Sequence, residues 1–219
     1  MPRPARTLVP PLPSALPLWA FLLFLLLGAL TRHRDALPPD LLLLAFLHAH
    51  RTPFLDRLAL LLSQSASFKA LLPLLLLVPL IPLGLTRAYL GRRAWAPWVL
   101  AIAGGAFWTE VAKWAFARER PHLFPSPIRE AGYGFPSGHA EISLALVLSL
   151  YLLFSGVPQP RGNRFRPAFW VLALGLPWAF LVGLSRLYLQ VHYPSDVLGG
   201  WALAVAWTLW VWRWTPSHF

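Results

Sequence analysis

Cysteine is missing from this 219-residue chain, which excludes disulfides and thiolate chemistry and leaves the redox compartment open. Charge is scarce: charged residues make up 12%, about half of the roughly 25% usual in a soluble domain. Acid is the rarest, with 8 Asp and Glu against 19 Lys and Arg. An ordinary soluble domain is excluded by these shortages. What is abundant is apolar: 57% hydrophobic residues, 12 Trp and 23 Pro. Apolar runs recur along the whole length, and a spanning helix needs about 20 such residues. The expectation is an all-α polytopic membrane protein.

Six transmembrane helices are expected, near 16–30, 68–86, 94–115, 139–157, 168–185 and 195–212. The first run is short and follows Arg3 and Arg6, which also fits a signal peptide, but no clear small-residue cleavage site precedes the polar TRHRD. The second carries Pro73, Pro79 and Pro82, tolerable in a span when neighbours re-satisfy the freed carbonyls. Residues 1–15 read as a Pro-rich arm and 16–219 as a single domain. Within it, 32–67 holds LLLLAFL and FLDRLALLL, each too short to cross. They are expected to lie in the interface as a lid over the entrance, with an extra short or re-entrant span as the alternative.

The net charge of +11 does not point to nucleic acid, because the basic residues are scattered over short loops. Arg3 and Arg6, then Arg87, Arg92 and Arg93, then Arg161, Arg164 and Arg166, and finally Arg213 occupy loops without acid, all on one side of the six-span layout. The positive-inside tendency makes that side cytoplasmic. Both termini are then cytoplasmic, the chain is expected in the cell (inner) membrane, and the acid-bearing loops face outward.

Three polar islands fall on the outward ends of the spans: KWAFARERP at 113–121, YGFPSGHA at 133–140 and SRLYLQVHYPSD at 185–196. Ionisable groups at such depth are expensive and mark function by default. Lys113, Arg120 and Arg186 offer charge-assisted donors for phosphate oxygens. Ser137 is the expected N-cap of a helix whose first amides, near Gly138, point at an anion. Pro194 suits a helix start, and Asp196 in its first turn lies close enough to reach His192. A carboxylate on one imidazole nitrogen frees the other to attack, while His139 can protonate a leaving alkoxide.

Other groups have plainer readings. His139, His192 and Asp196 have zinc-ligand chemistry, but the neighbouring cations would repel a metal ion. His48 and His50 read as an interfacial pair. Glu110, three residues before Lys113, is the expected partner of that lysine, and Glu141 has no evident partner.

In order and spacing, these residues form one pattern: Lys113, six residues, Arg120-Pro121; Pro136-Ser137-Gly138-His139; Ser185-Arg186, five residues, His192, three residues, Asp196. The pattern resembles the three-part signature of the type 2 phosphatidic acid phosphatase superfamily, with every fixed position matched over 113–196. The resemblance implies His192 as nucleophile, forming a phosphohistidine, with Asp196 orienting it and His139 protonating the leaving group. It implies Lys113, Arg120, Ser137, Gly138 and Arg186 as phosphate ligands, with no metal and no cofactor. The expected activity is hydrolysis of a lipid phosphate or diphosphate such as phosphatidic acid, phosphatidylglycerophosphate or undecaprenyl diphosphate. The partners would then be the bilayer and its lipid, with no nucleic acid and no obligatory protein partner. Phosphatases of soluble esters and non-catalytic lipid-phosphate binders or transporters are the competing readings. The binder class needs the three cations but not His192, Asp196 and His139 in these places.

Overall fold

A computed structural model describes residues 13–32, 36–77, 95–155 and 166–214. The Pro-rich arm up to residue 12, residues 78–86 of the second expected span, Arg87, Arg92 and Arg93, and Arg161 and Arg164 lie outside the described residues. Eight helices and no strands occur among those described. They are α1 (Leu16–Thr31), α2 (Pro38–Ala49), α3 (Pro53–Ser65), α4 (Phe68–Leu77), α5 (Trp95–Phe116), α6 (Gly138–Ser155), α7 (Pro167–Tyr188) and α8 (Pro194–Trp214).

Local chemistry explains where the helices begin and end. Prolines sit in the first turn of α1, α2, α3 and α7, where a missing N–H costs nothing. Thr52 caps α3 by accepting from Leu55 N at 3.2 Å. In α2, Asp40 accepts from Leu37 N at 3.2 Å. The helices α3 and α4 are separated at Ala66-Ser67 and bent by 41°. Ala117 stops α5 in the left-handed region with φ 47°, which turns the chain into the long 117–137 connection.

The described residues 36–67 therefore hold two helices, and both are packed into the bundle. α2 lies against α7 and α8, and α3 lies against α7. The described part of the second expected span is α4, which follows α3 across a bend. α3 and α4 together satisfy the length and hydropathy of a crossing segment, as one bent pair, whereas neither does so singly. Polar Ser63, Gln64 and Ser65 between two apolar stretches obscured that continuity. Among the described residues, α6 and α7 are long and apolar enough to cross a bilayer, and the α3–α4 pair makes a third.

The centre is built by α6, which packs against α5, α7 and α8, while α1 covers α8. In α1 the buried residues are Ala20, Phe24, Gly28 and Thr31, one stripe at three- and four-residue spacing, while Leu18, Trp19, Leu22 and Leu26 face outward. Large apolar residues on the outside of helices match a hydrocarbon surround. In such a surround, close packing through small residues drives association. Gly200 of α8 shows this: a Cβ there would stand 2.5 Å from Ser137 O, so glycine lets α8 abut the start of α6. Phe135 stacks on Phe24 at 5.6 Å and meets Phe116 edge-on at 5.2 Å, which fixes the segment that leads into α6.

Candidate active site

The three polar islands converge at one end of the bundle. Lys113 comes from the last turn of α5, Arg120 from the connection that follows, and His139 from the first turn of α6. Arg186 ends α7, His192 lies in the tight link between α7 and α8, and Asp196 stands in the first turn of α8. His139 feels the charges of Arg186, Glu130, Lys113 and Arg120, and His192 feels those of Arg120, Arg186, His139 and Glu130. Each site residue expected from sequence is thus in this cluster or at its wall.

His192 is 2% exposed. Its Nδ1 lies 3.4 Å from Asp196 Oδ2, longer than a good hydrogen bond, and its Nε2 lies 3.0 Å from Arg120 Nη1. A guanidinium only donates, so Nε2 must present its lone pair and Nδ1 carries the hydrogen, directed at Asp196. That is the tautomer a nucleophilic Nε2 requires. Burial, reinforced by the charges of Arg120, Arg186 and His139, pushes the His192 imidazole well below its ordinary pKa. The ring is neutral at physiological pH.

Arg120 holds the connection in place by donating to Ala131 O at 3.1 Å, Gly132 O at 3.0 Å and Val191 O at 3.0 Å. Burial lowers its pKa; Glu130 opposes this and Arg186 adds to it. Arg186 is 1% exposed; it donates to Ser63 and, through Nη2, to Glu130 Oε1 at 2.5 Å. For Glu130, burial alone would raise the pKa, but the charge and hydrogen bond of Arg186 outweigh it and the net shift is downward. Lys113 Nζ binds Glu110 Oε1 at 2.6 Å, as the three-residue spacing suggested, and lies 4.0 Å from the position a Cβ on Gly138 would take. An open cavity of about 640 Å³ is bounded by Arg120, His122, Glu130 and Tyr133.

One expectation needs correction. Ser137 does start α6, since its carbonyl accepts from Glu141 N at 3.0 Å and its own N–H donates to Asp196 O at 3.0 Å. Its hydroxyl does not cap the helix: fully buried, Oγ has no hydrogen-bond partner among the described residues. Backbone bonding across to α8 fixes the serine, and the hydroxyl is left for something else. Glu141 is 1% exposed and lies against Gly105 of α5, with Oε1 unpartnered among the described residues. His50 Nδ1 bonds to Phe46 O at 2.8 Å and His48 stacks on Phe124 at 4.2 Å, so neither joins the cluster. Among the described residues no group of three or more His, Asp or Glu side chains is placed to hold a metal.

Three participants were missed from sequence. Arg118 donates to Asp196 Oδ1 at 2.5 Å and to Asp40 Oδ2 at 2.9 Å, and Glu130 occupies Arg186. Arg118 lies inside the first polar island, so its position was in view; its partners were not.

Comparison with known proteins gives the family and the fold. The family model described as the PAP2 superfamily matches residues 94–219. The chain is 28% identical over 191 residues to a phosphatidylglycerophosphatase B of Bacillus subtilis, covering 86% of this chain and 89% of that protein. It is 36% identical over 110 residues to an undecaprenyl-diphosphatase of Sulfolobus acidocaldarius, covering 48% of this chain and 45% of that protein. The crystal structure of a transmembrane PAP2-type phosphatidylglycerolphosphate phosphatase from Bacillus subtilis superposes with a TM-score of 0.77 at 25% identity, over 90% of this chain and 94% of that one.

Proposed function

The chain belongs to the PAP2 superfamily, and from that premise we propose that it hydrolyses a lipid phosphate or diphosphate through a phosphohistidine on His192, without a metal. The observation that carries the reading is the His192 ring, whose Nε2 lone pair faces Arg120 at 3.0 Å while Nδ1 is turned to Asp196. Relatives named as a phosphatidylglycerophosphatase and an undecaprenyl-diphosphatase support the substrate class.

The reaction runs in two displacements. In the first, Nε2 of His192 attacks phosphorus and an N–P bond forms while the P–O bond to the lipid breaks. His139 gives its proton to the departing oxygen, an alkoxide from a monoester or a phosphate from a diphosphate. In the second, water attacks phosphorus, His139 takes a proton from it, the N–P bond breaks and inorganic phosphate leaves. Lys113, Arg120, Arg186, the Ser137 hydroxyl and the Gly138 amide hold the phosphoryl oxygens, whose charge grows on the way to the transition state.

The setting is a six-helix membrane domain in which the polar islands share the outward face, with the termini on the cytoplasmic side. Six apolar runs and the acid-free distribution of Arg over alternate loops support that layout. The lipid headgroup then enters from the outer leaflet while its tail stays in the bilayer.

The test is phosphate release by the detergent-solubilised protein from phosphatidic acid, phosphatidylglycerophosphate and undecaprenyl diphosphate in mixed micelles. Release that vanadate inhibits and EDTA leaves intact supports the reading. No release from any of the three, or full inhibition by EDTA, defeats it.

Two further results are expected. Because attack requires a neutral ring and the environment depresses the His192 pKa, the acidic limb of kcat/KM should fall below the ordinary histidine value of about 6.5. A limb at or above that value in the pH profile would contradict the assigned nucleophile. Second, Glu130 occupies Arg186 donors that a phosphoryl oxygen needs. Glu130→Gln removes this competing anion, and vanadate should then bind about 3- to 10-fold more tightly, a shift of the size expected for a partly solvated ion pair. Inhibition constants for the two proteins decide this.

A further inference from the structure

The two displacements use His192, His139, Asp196 and the phosphate ligands, and leave Arg118 and Asp40 without a task. Both are 2% exposed. Arg118 stands behind Asp196, on the side away from His192. Its Nη1 donates to Asp196 Oδ1 at 2.5 Å and to Ser195 Oγ at 2.7 Å, and Nη2 donates to Asp40 Oδ2 at 2.9 Å. Its guanidinium carbon lies 4.2 Å from the centre of the Tyr193 ring. Asp40 comes from α2, 155 residues from Ser195 in the chain, yet its Oδ1 accepts from Ser195 N at 2.9 Å and its Oδ2 from Ser195 Oγ at 2.6 Å.

The geometry leaves Asp196 little freedom. Its Oδ1 is taken by Arg118 and its Oδ2 by Tyr193 N at 2.8 Å, so the plane of the carboxylate is set by donors on two sides. That plane directs Oδ2 to His192 Nδ1. Arg118 in turn is held at its second nitrogen by Asp40, and Asp40 by the first turn of α8. Such a chain of charge-assisted bonds is far stiffer than any one of its members. Burying two carboxylates around one guanidinium is costly unless the geometry is well satisfied, and here each carboxylate has further donors.

We infer that Arg118 and Asp40 are positioning residues for the reaction: Arg118 fixes Asp196 so that its other oxygen faces the His192 ring, and Asp40 fixes Arg118. This inference rests on the proposed function, in which His192 attacks phosphorus. It gives α2 a part in catalysis, as the helix that braces the nucleophile from behind.

The charges around His192 make the test directional. Arg120, Arg186, His139 and Glu130 face the ring from the substrate side, Asp196 faces it from α8, and Arg118 and Asp40 stand behind Asp196. Arg118→Gln removes the cation that offsets Asp196, which favours the imidazolium and should raise the acidic limb of kcat/KM by about one pH unit. Asp40→Asn removes an anion at constant size, leaves Arg118 to offset Asp196 alone, and should leave the limb unmoved or lower it. In both variants kcat should fall, about 10-fold for Asp40→Asn and about 100-fold for Arg118→Gln, with KM within about twofold of wild type, because orientation of the attacking group and not binding is lost.

These outcomes separate the possibilities. Wild-type protein that releases no phosphate sinks the function itself. Active wild type with kcat unchanged in both variants, with KM rising alone, or with limbs moving the same way in both, overturns the positioning role. Asparagine replaces aspartate without added bulk. Should Arg118→Gln not be recovered folded, Asp40→Asn carries the test alone: a 10-fold fall in kcat at constant KM without an upward limb supports the role, and any other result refutes it.

Discussion

The His192→Ala protein is expected to fold and to release phosphate at least about 10⁴-fold more slowly than wild type, since loss of a covalent nucleophile leaves only binding and electrostatic stabilisation. The expectation of folding comes from the ring's neighbours. Asp196 keeps Arg118 at 2.5 Å and Tyr193 N at 2.8 Å without His192, so no buried charge is stranded. Arg120 keeps three carbonyl acceptors. The ring is neutral and contributes one contact to each side, so its removal costs a small cavity, worth on the order of 1–3 kcal/mol, and not a broken network. Thermal unfolding in detergent should therefore shift by several degrees at most, while the phosphate assay falls to background. Vanadate should still bind, though more weakly, because Lys113, Arg120 and Arg186 remain. Turnover at the wild-type rate in this variant would remove the phosphohistidine and with it the proposed mechanism. A variant that cannot fold would contradict the claim that His192 is held by its neighbours and does not hold them.

The candidate site was more legible in the sequence than its scaffold, for a physical reason. Lys113, Arg120, Ser137, His139, Arg186, His192 and Asp196 are polar groups at the ends of apolar runs, where their cost makes each of them conspicuous. The His192–Asp196 and Glu110–Lys113 pairs are local, four and three residues apart, so spacing alone brings them together. Asp40 and Arg118 are 78 residues apart, and nothing in PPDL or FARER signals the other. Asp40 also makes the first-turn bond to Leu37 N, and a local role of that kind hides a distant one. The packing of α3 against α7 is hidden in the sequence for a related reason. The polar residues of α3 have destinations that only the folded chain reveals: Ser63 receives Arg186, and Ser65 Oγ accepts from Trp178 Nε1 at 2.9 Å. Read along the chain they look like the end of a surface helix; in the bundle they are contacts to α7, one of them with Arg186.

Asp196→Asn should be the most damaging isosteric change in the molecule, lowering kcat by about 10³- to 10⁴-fold and also lowering thermal stability. The catalytic loss follows from charge and orientation: once Nε2 bonds to phosphorus the ring is cationic with its hydrogen on Nδ1, and an uncharged amide neither offsets that charge nor holds the ring as a carboxylate does, an effect that makes such substitutions costly in hydrolase triads. The stability loss follows from the hydrogen-bond inventory. Both oxygens of Asp196 accept from donors, Oδ1 from Arg118 and Oδ2 from Tyr193 N. An asparagine has one oxygen to offer, so whichever way the amide is turned its NH₂ must face an N–H donor, at a site 0% exposed where water cannot intervene. Arg118 is left with Asp40 as its buried counter-charge. A buried donor facing a donor costs about 1–3 kcal/mol, more beside a charge. The two effects are separable by measurement. Saturating phospholipid gives kcat, and unfolding in the same detergent gives stability at a temperature where the variant is still folded. Asp40→Asn provides the contrast, because Asp40 lies one step further from the ring: it should lose some stability but only about 10-fold in kcat. If Asp196→Asn and Asp40→Asn lowered kcat equally, Asp196 would have no privileged hold on His192, and the orientation of the nucleophile would have to come from Arg120 instead.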